Sequence, residues 1–107
     1  MFEAVVSQEG KVRTISLHGE CDLQIFPDID ELLSSSCSNG FSGVRIDLRD
    51  LTFIDSSGLR ALVMAKQRAA EHGTKLSIAP GPAGVMRVFE LVGLLEQLPF
   101  ETHSAAS

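Results

Sequence analysis

Val44-Arg45-Ile46-Asp47-Leu48-Arg49-Asp50-Leu51-Thr52-Phe53-Ile54-Asp55-Ser56-Ser57-Gly58-Leu59 is the stretch in which the chain changes period. Val44, Ile46 and Leu48 alternate with Arg45, Asp47 and Arg49, the two-residue repeat of a strand, and Leu51, Phe53 and Ile54 carry the apolar run on to Asp55. From Ser56 to His72 the repeat becomes helical. Wound at about 100° per residue, Leu59, Leu62, Val63, Ala69 and Ala70 fall on one side with the stem of Lys66 among them, while Ser56, Arg60, Met64, Gln67 and Glu71 share another. A strand feeding directly into an amphipathic helix points to an α/β fold.

Working outward, Gly73 stops that helix and Lys75 to Ala79 reads as a further strand. Pro80-Gly81-Pro82 breaks the chain before a helix carrying Val85, Val88, Phe89 and Val92 at i, i+3, i+4 and i+7, with Gly93 as its cap. Leu94 to Phe100 supplies one more apolar turn or an edge strand, and residues 101–107 read as a frayed, flexible tail. Toward the N-terminus, Phe2 to Gln8 and Lys11 to His18 flank a Glu9-Gly10 turn signal and predict a β-hairpin. Gly19-Glu20-Cys21-Asp22 leaves that hairpin. Leu23 to Ser36 then predicts a short helix with Ile25, Ile29, Leu32 and Leu33 on one face and Pro27 in its first turn. Ser34 to Gly43, rich in serine, reads as a loop within the domain. The predicted order is β, β, α, β, α, β, α, and strands joined through helices require crossovers, hence a mixed sheet with helices packed on it.

Composition bounds the function. One domain over residues 1–100 is the expectation for 107 residues, 44% of them hydrophobic and 21% charged, enough to build a core without disulfides. A net charge of −5 has the wrong sign for a nucleic-acid footprint and favours a protein or small-molecule partner. Cys21, Cys37 and the scattered histidines have no metal-ligand spacing, so no metal or cofactor is implied. Two reduced thiols, no basic leader and no long apolar run predict a cytoplasmic chain without membrane insertion.

Asp55-Ser56-Ser57-Gly58 is the local feature richest in chemistry. Asp55 or a serine can cap the free N–H groups of the helix, and Gly58 permits close backbone approach. Equally, a serine hydroxyl at the positive end of a helix dipole suits phosphorylation, because the added anion is tolerated there. Position alone leaves both roles open. An enzyme using Ser56 as nucleophile is disfavoured: there is no Gly-x-Ser-x-Gly elbow, no phosphate-binding glycine loop, and no constellation orienting His18, His72 or His103.

The run Asp47 to Leu59 resembles the signature of STAS domains of the anti-sigma factor antagonist family, in which a strand ends in Ile-Asp-Ser-Ser-Gly-Leu and enters a helix. Gly19-Glu20-Cys21-Asp22 resembles that family's Gly-Glu-Leu-Asp, and Arg87-Val88-Phe89-Glu90-Leu91-Val92-Gly93-Leu94 resembles its closing helix and Gly-Leu turn. The similarity runs in consistent order over residues 3 to 100. Cys21 stands where relatives usually have Leu, and Phe26-Pro27 gives the next helix a bulkier start.

The resemblance implies a STAS fold, an open mixed sheet of about four to five strands packed by three to four helices, and partner switching. Such antagonists bind an anti-sigma factor that is also a serine kinase, which phosphorylates the serine after the motif's aspartate; a serine phosphatase restores it. Carried over, Ser56 is the phosphoacceptor and Asp22, Asp55, Ser57 and Gly58 line the partner surface. Arg60 and Met64, on the Ser56 face of the helix, either extend that surface or belong to ordinary solvated surface, and Asp22 has the alternative role of a loop or cap aspartate. A constitutive STAS subunit of a scaffold or transport-associated complex, with a structural Ser56, is the alternative function.

Overall fold

The structure, a computed structural model, describes residues 1–101. Eight elements follow in the order β1 (Phe2–Glu9), β2 (Val12–Cys21), α1 (Phe26–Ser38), β3 (Gly43–Asp47), β4 (Leu51–Ile54), α2 (Ser56–His72), β5 (Lys75–Ala79) and α3 (Ala83–Leu91). The hairpin turns at Gly10, whose φ of 62° suits glycine, so β1 and β2 pair antiparallel from Phe2↔Gly19 to Glu9↔Val12. The other pairings are parallel. β3 lies beside the first half of β2, β4 beside its last residues, and β5 beside β3, forming a mixed five-stranded sheet.

One face of the sheet is apolar because alternate residues share a face. Ile15, Leu17 and Cys21 of β2, Val44 and Ile46 of β3 and Ile78 of β5 are buried there beneath Ile29 and Leu33 of α1, Leu59 and Leu62 of α2 and Phe89 of α3. The opposite face is polar. Arg45 and Asp47 stand on it, and Asp47 accepts from Arg49 Nη2 at 2.8 Å and Arg49 Nε at 3.1 Å.

The structure corrects the expected boundaries at several points. The predicted strand from Val44 toward Asp55 is two strands, because Asp47 Oδ1 accepts from the Arg49 amide at 3.0 Å and the Leu51 amide donates to the Leu48 carbonyl at 3.0 Å. That turn moves the chain from the first half of β2 to its end. Gly19 to Cys21, read as leaving the hairpin, remain in β2, with a register shift at Gly19/Glu20. The serine-rich segment is largely helical: α1 runs to Ser38 and buries Ser36 and Cys37. Tertiary contacts overcome its weak propensity, since Arg13 Nη1 donates to Ser36 Oγ at 3.2 Å and Thr74 Oγ1 donates to the Cys37 carbonyl at 2.8 Å.

Helix α2 has the predicted span, but its buried face is Leu59, Ala61, Leu62, Ala65 and Ala69; Val63 is half-buried and Ala70 is exposed. The Lys66 amine reaches across to the Gln97 carbonyl. Gly73 closes α2 in the left-handed conformation, its amide donating to the Ala69 carbonyl. Helix α3 ends at Leu91, which leaves Val92 exposed. Leu94 to Phe100 make a turn and one parallel bridge, Phe100 to Ile78, and the Phe100 ring meets Phe89 edge to face at 5.1 Å. Glu101, expected to begin the tail, is held by Arg45 through contacts of 2.6 and 3.1 Å. The remainder of the expected tail, residues 102–107, lies outside the described residues.

Candidate partner-docking site

Parallel pairing of β2 with β4 builds the site. Cys21 and Ile54 are register partners, and the Asp55 amide donates to the Cys21 carbonyl at 3.2 Å. Asp22 and Asp55, the next residue of each strand, therefore leave the sheet side by side at its C-terminal end. Ligand and partner sites of open α/β sheets form at such ends.

Asp55 starts α2. In extended conformation, it caps the helix through Oδ1, which accepts from the amides of Ser57 at 2.9 Å and Gly58 at 3.2 Å. Its carboxylate is thus engaged in holding the first turn, leaving Ser56 exposed at its tip and Ser57 half-buried. Gly58 faces inward: a Cβ there would stand 2.6 Å from Ile54 Cγ1 and 2.8 Å from Cys21 Sγ. Only glycine lets the start of α2 settle against the ends of both strands.

Asp22 is turned back on its own loop. Its Oδ1 accepts from the Gln24 amide at 3.1 Å and its carbonyl from the Ile25 amide at 3.2 Å, so it closes the turn into α1 next to the strand end that leads into Asp55. Between them sits the Cys21 thiol, whose pKa burial pushes up to about 11, with Asp55 and Asp22 adding to the rise. It is a neutral packing group under the two carboxylates.

The structure joins Asp22, Asp55, Ser56, Ser57 and Gly58 in one region. Arg60 lies one turn along α2, its guanidinium 6.0 Å above the ring of Phe26, which ties α2 to the first residue of α1. Met64, a further turn along, is half-buried. Two apolar residues, expected at the start of a helix and within an apolar run, are exposed near the aspartates, and α1 begins only at Phe26. Leu23, directly after Asp22, is 70% exposed, and Phe53, two residues before Asp55, is 49% exposed.

The region is a surface, not a pocket. The cleft beside Asp22, lined by Met1, Phe2, Glu20, Asp22, Gln24 and Ile25, holds about 90 Å³, well under the roughly 300–1,000 Å³ of a small-molecule site. A cavity of about 380 Å³ near Glu90, Gly93, Leu95 and Glu96 shares no lining residue with it. Among the described residues no group of three or more His, Cys, Asp or Glu could hold a metal, and no helix is long and apolar enough to cross a membrane.

Comparison with known proteins agrees with this architecture. An anti-sigma-B factor antagonist of Staphylococcus aureus is 24% identical over 86 residues, covering 80% of each chain. The crystal structure of an anti-sigma factor antagonist from Mycobacterium paratuberculosis superposes with a TM-score of 0.85 at 20% identity, covering 97% of this chain and 88% of that one. The Bacillus protein SpoIIAA superposes in its unphosphorylated form with a TM-score of 0.78 at 20% identity, covering 97% of this chain and 92% of that one. In its phosphorylated form the score is 0.71 at 18% identity, with 97% and 96% covered. These structural likenesses concern the fold. The family model described as "Mlab, STAS domain" matches residues 4–99, so with its mixed sheet, its three helices and its Asp55-capped α2 the chain belongs to the STAS domain family.

Proposed function

We propose that this chain is an anti-sigma factor antagonist, a regulatory binding module and not an enzyme, which acts in the cytoplasm. It binds an anti-sigma factor that is also a serine kinase, through Asp22, Asp55, Ser57, Gly58, Arg60 and Met64. The observation that carries this reading is the exposed Ser56 at the tip of a helix capped by Asp55, whose amide bonds to Cys21, the residue before Asp22. The kinase transfers the γ-phosphoryl group of ATP to Ser56 Oγ, with loss of the hydroxyl proton. A serine phosphatase hydrolyses the ester and restores the binding form. Neither nucleic acid nor membrane is contacted directly.

Electrostatics explains how one phosphate would act. It adds about −1.5 to −2 charges at pH 7, and a helix N-terminus stabilises such an anion by about 0.3–1 kcal/mol, so the fold accepts it. A partner must instead desolvate a dianion set beside Asp55 and Asp22. Losing two to three orders of magnitude in affinity requires only about 3–4 kcal/mol, within the cost of one uncompensated interfacial charge. Relatives carrying the antagonist name, and a structural neighbour solved in a phosphorylated form, support the reading.

A constitutive STAS subunit of a scaffold or transport-associated complex, with Ser56 structural, is a second reading, favoured by the matching family model, whose description names Mlab and no sigma-factor regulator. Intact mass after incubation with ATP and candidate kinases of the same genome separates the two. One added phosphate that leaves thermal melting unchanged and weakens anti-sigma binding is expected; equal affinity of both forms, or no phosphate with any candidate, rejects the switch.

A further inference from the structure

The two edges of the sheet are finished differently. At one, the Ile78 amide of β5 donates to the Pro99 carbonyl at 3.0 Å and its carbonyl accepts from the Glu101 amide at 2.8 Å, so residues 99–101 cover that edge. At the other, β1 has nothing paired to its outer side among the described residues. Long edge strands are usually protected by charged side chains, lysine above all, by a proline or by a bulge. Phe2–Glu9 pairs with β2 in unbroken register and contains neither lysine nor proline; its charges are the exposed Glu3 and Glu9, one toward each end, and between them Val5 and Val6 are 44% and 43% exposed.

The ladder determines which main-chain groups of β1 are free. The Glu20 amide donates to the Met1 carbonyl at 3.3 Å, making these two a hydrogen-bonded pair, and hydrogen-bonded and non-hydrogen-bonded pairs alternate along an antiparallel ladder. Glu3, Val5, Ser7 and Glu9 therefore turn their N–H and C=O groups toward β2. Phe2, Ala4, Val6 and Gln8 turn theirs outward. The two-residue Gly10-Lys11 turn closing Glu9↔Val12 agrees with this parity.

We propose that a second copy of this chain pairs antiparallel along β1 with Val5 opposite Val5, giving a two-fold dimer with one continuous sheet. An axis normal to the sheet keeps like faces together, so opposing residues must share parity. Centred on Val5, Ala4 meets Val6 and Phe2 meets Gln8 as hydrogen-bonded pairs, about eight main-chain bonds in all. Glu3 then faces Ser7, and no like charges meet. Centred on Val6, Glu3 faces Glu9 and hydrogen bonds are lost; centred on Ala4, Gln8 and Glu9 overhang. Charge, which disfavours the Val6-centred register, and hydrogen-bond completion, which disfavours both alternatives, thus together select one register for a copy of β1. Ala4 and Val6 lie on the helix-covered face, where Ala4 already packs against the core, so the pairing extends that apolar layer. The contact is smaller than a standard interface, and the dimer is correspondingly weak.

Sedimentation equilibrium of the full chain, from micromolar to about 1 mM, tests this. The wild type shifts toward dimer with concentration. Ala4→Pro, which removes an outward N–H and leaves the ladder to β2 intact, and Val5→Lys, which opposes two lysines at the axis, stay monomeric with unchanged circular dichroism. If Ala4→Pro fails to fold, Val5→Lys alone decides. Val5→Cys forms an intermolecular disulfide with oxidised glutathione, because the opposed Cβ atoms of a non-hydrogen-bonded pair are within bridging distance; Ser7→Cys does not. A wild type monomeric throughout, a dimer surviving in Val5→Lys, or cross-linking through Ser7→Cys instead of Val5→Cys overturns the proposal.

Discussion

The Asp55 amide bonds to the Cys21 carbonyl at 3.2 Å, and through this one contact two aspartates distant in sequence, Asp22 and Asp55, share the end of the sheet. Helix α2 begins at the same point, capped by the Asp55 carboxylate. Strand pairing, helix start and candidate acceptor serine are therefore one mechanical unit, and substitutions around it separate structure from function.

Ser56, not Ser57, should take the phosphate. Ser56 is exposed, whereas Ser57 is half-buried with its amide held by Asp55. Ser56→Ala should abolish labelling in a kinase assay and still bind the partner, and Ser57→Ala should keep the label. Stoichiometric phosphate on Ser56→Ala, mapped by peptide mass, would reverse the assignment.

Asp22→Ala should weaken partner binding about tenfold, equivalent to roughly 1.4 kcal/mol. Among the described residues its carboxylate accepts only from the Gln24 amide of its own turn, so melting should move little. Calorimetric titration checks the affinity; unchanged binding, or a large drop in Tm, counts against a contact role.

Gly58→Ala should destabilise the fold by about 1–3 kcal/mol through overpacking against Ile54 and Cys21. Gly84→Ala is the control. A Cβ at Gly84 meets nothing within 4 Å, so there the helix propensity of alanine should stabilise by about 0.5–1 kcal/mol. Opposite shifts in urea midpoint are expected, and equal shifts would contradict the packing at the start of α2.

Cys21 should resist alkylation in the folded protein at neutral pH. It is 2% exposed and its pKa stands at about 11, raised by burial first and by the two aspartates after it. Labelling by iodoacetamide, followed by mass spectrometry, should therefore track global unfolding in denaturant; fast labelling under native conditions would show that the strand ends open locally.

The Arg45 to Glu101 pair should make stability acid-sensitive. The hydrogen bond from Arg45 holds the Glu101 carboxyl below its ordinary value of 4.5. A depressed carboxylate contributes stability above its unfolded pKa and loses it as the pH falls through the folded one. Partly exposed, the pair is worth about 0–1 kcal/mol. Glu101→Gln should melt below the wild type at pH 7, with the gap narrowing as the pH falls below the ordinary carboxyl value of 4.5 and through the lower folded one; a gap independent of pH would assign the effect to packing.

What the sequence determined by itself is the set of local decisions. The change of period at Asp55, the aspartate cap, the left-handed Gly73 and the hairpin turn are each settled within a few residues, so α2 and β5 have their predicted spans. Tertiary structure decided what depends on distant partners. Residues Leu51 to Ile54 show the same apolar character whichever strand they join, and only the turn at Asp47 to Leu51 and the register shift in β2 seat them beside Cys21. The serines of α1 have little helix preference of their own; the hydrogen bonds from Arg13 and Thr74 and the burial of Cys37 hold them helical. Glu101 looks like tail until Arg45, from the middle of the sheet, meets it. Periodicity reports which face a residue turns to the core, but pairing between remote segments is selected by packing and hydrogen-bond completion over the whole sheet, and that is why Asp22 and Asp55 become neighbours only in the folded protein.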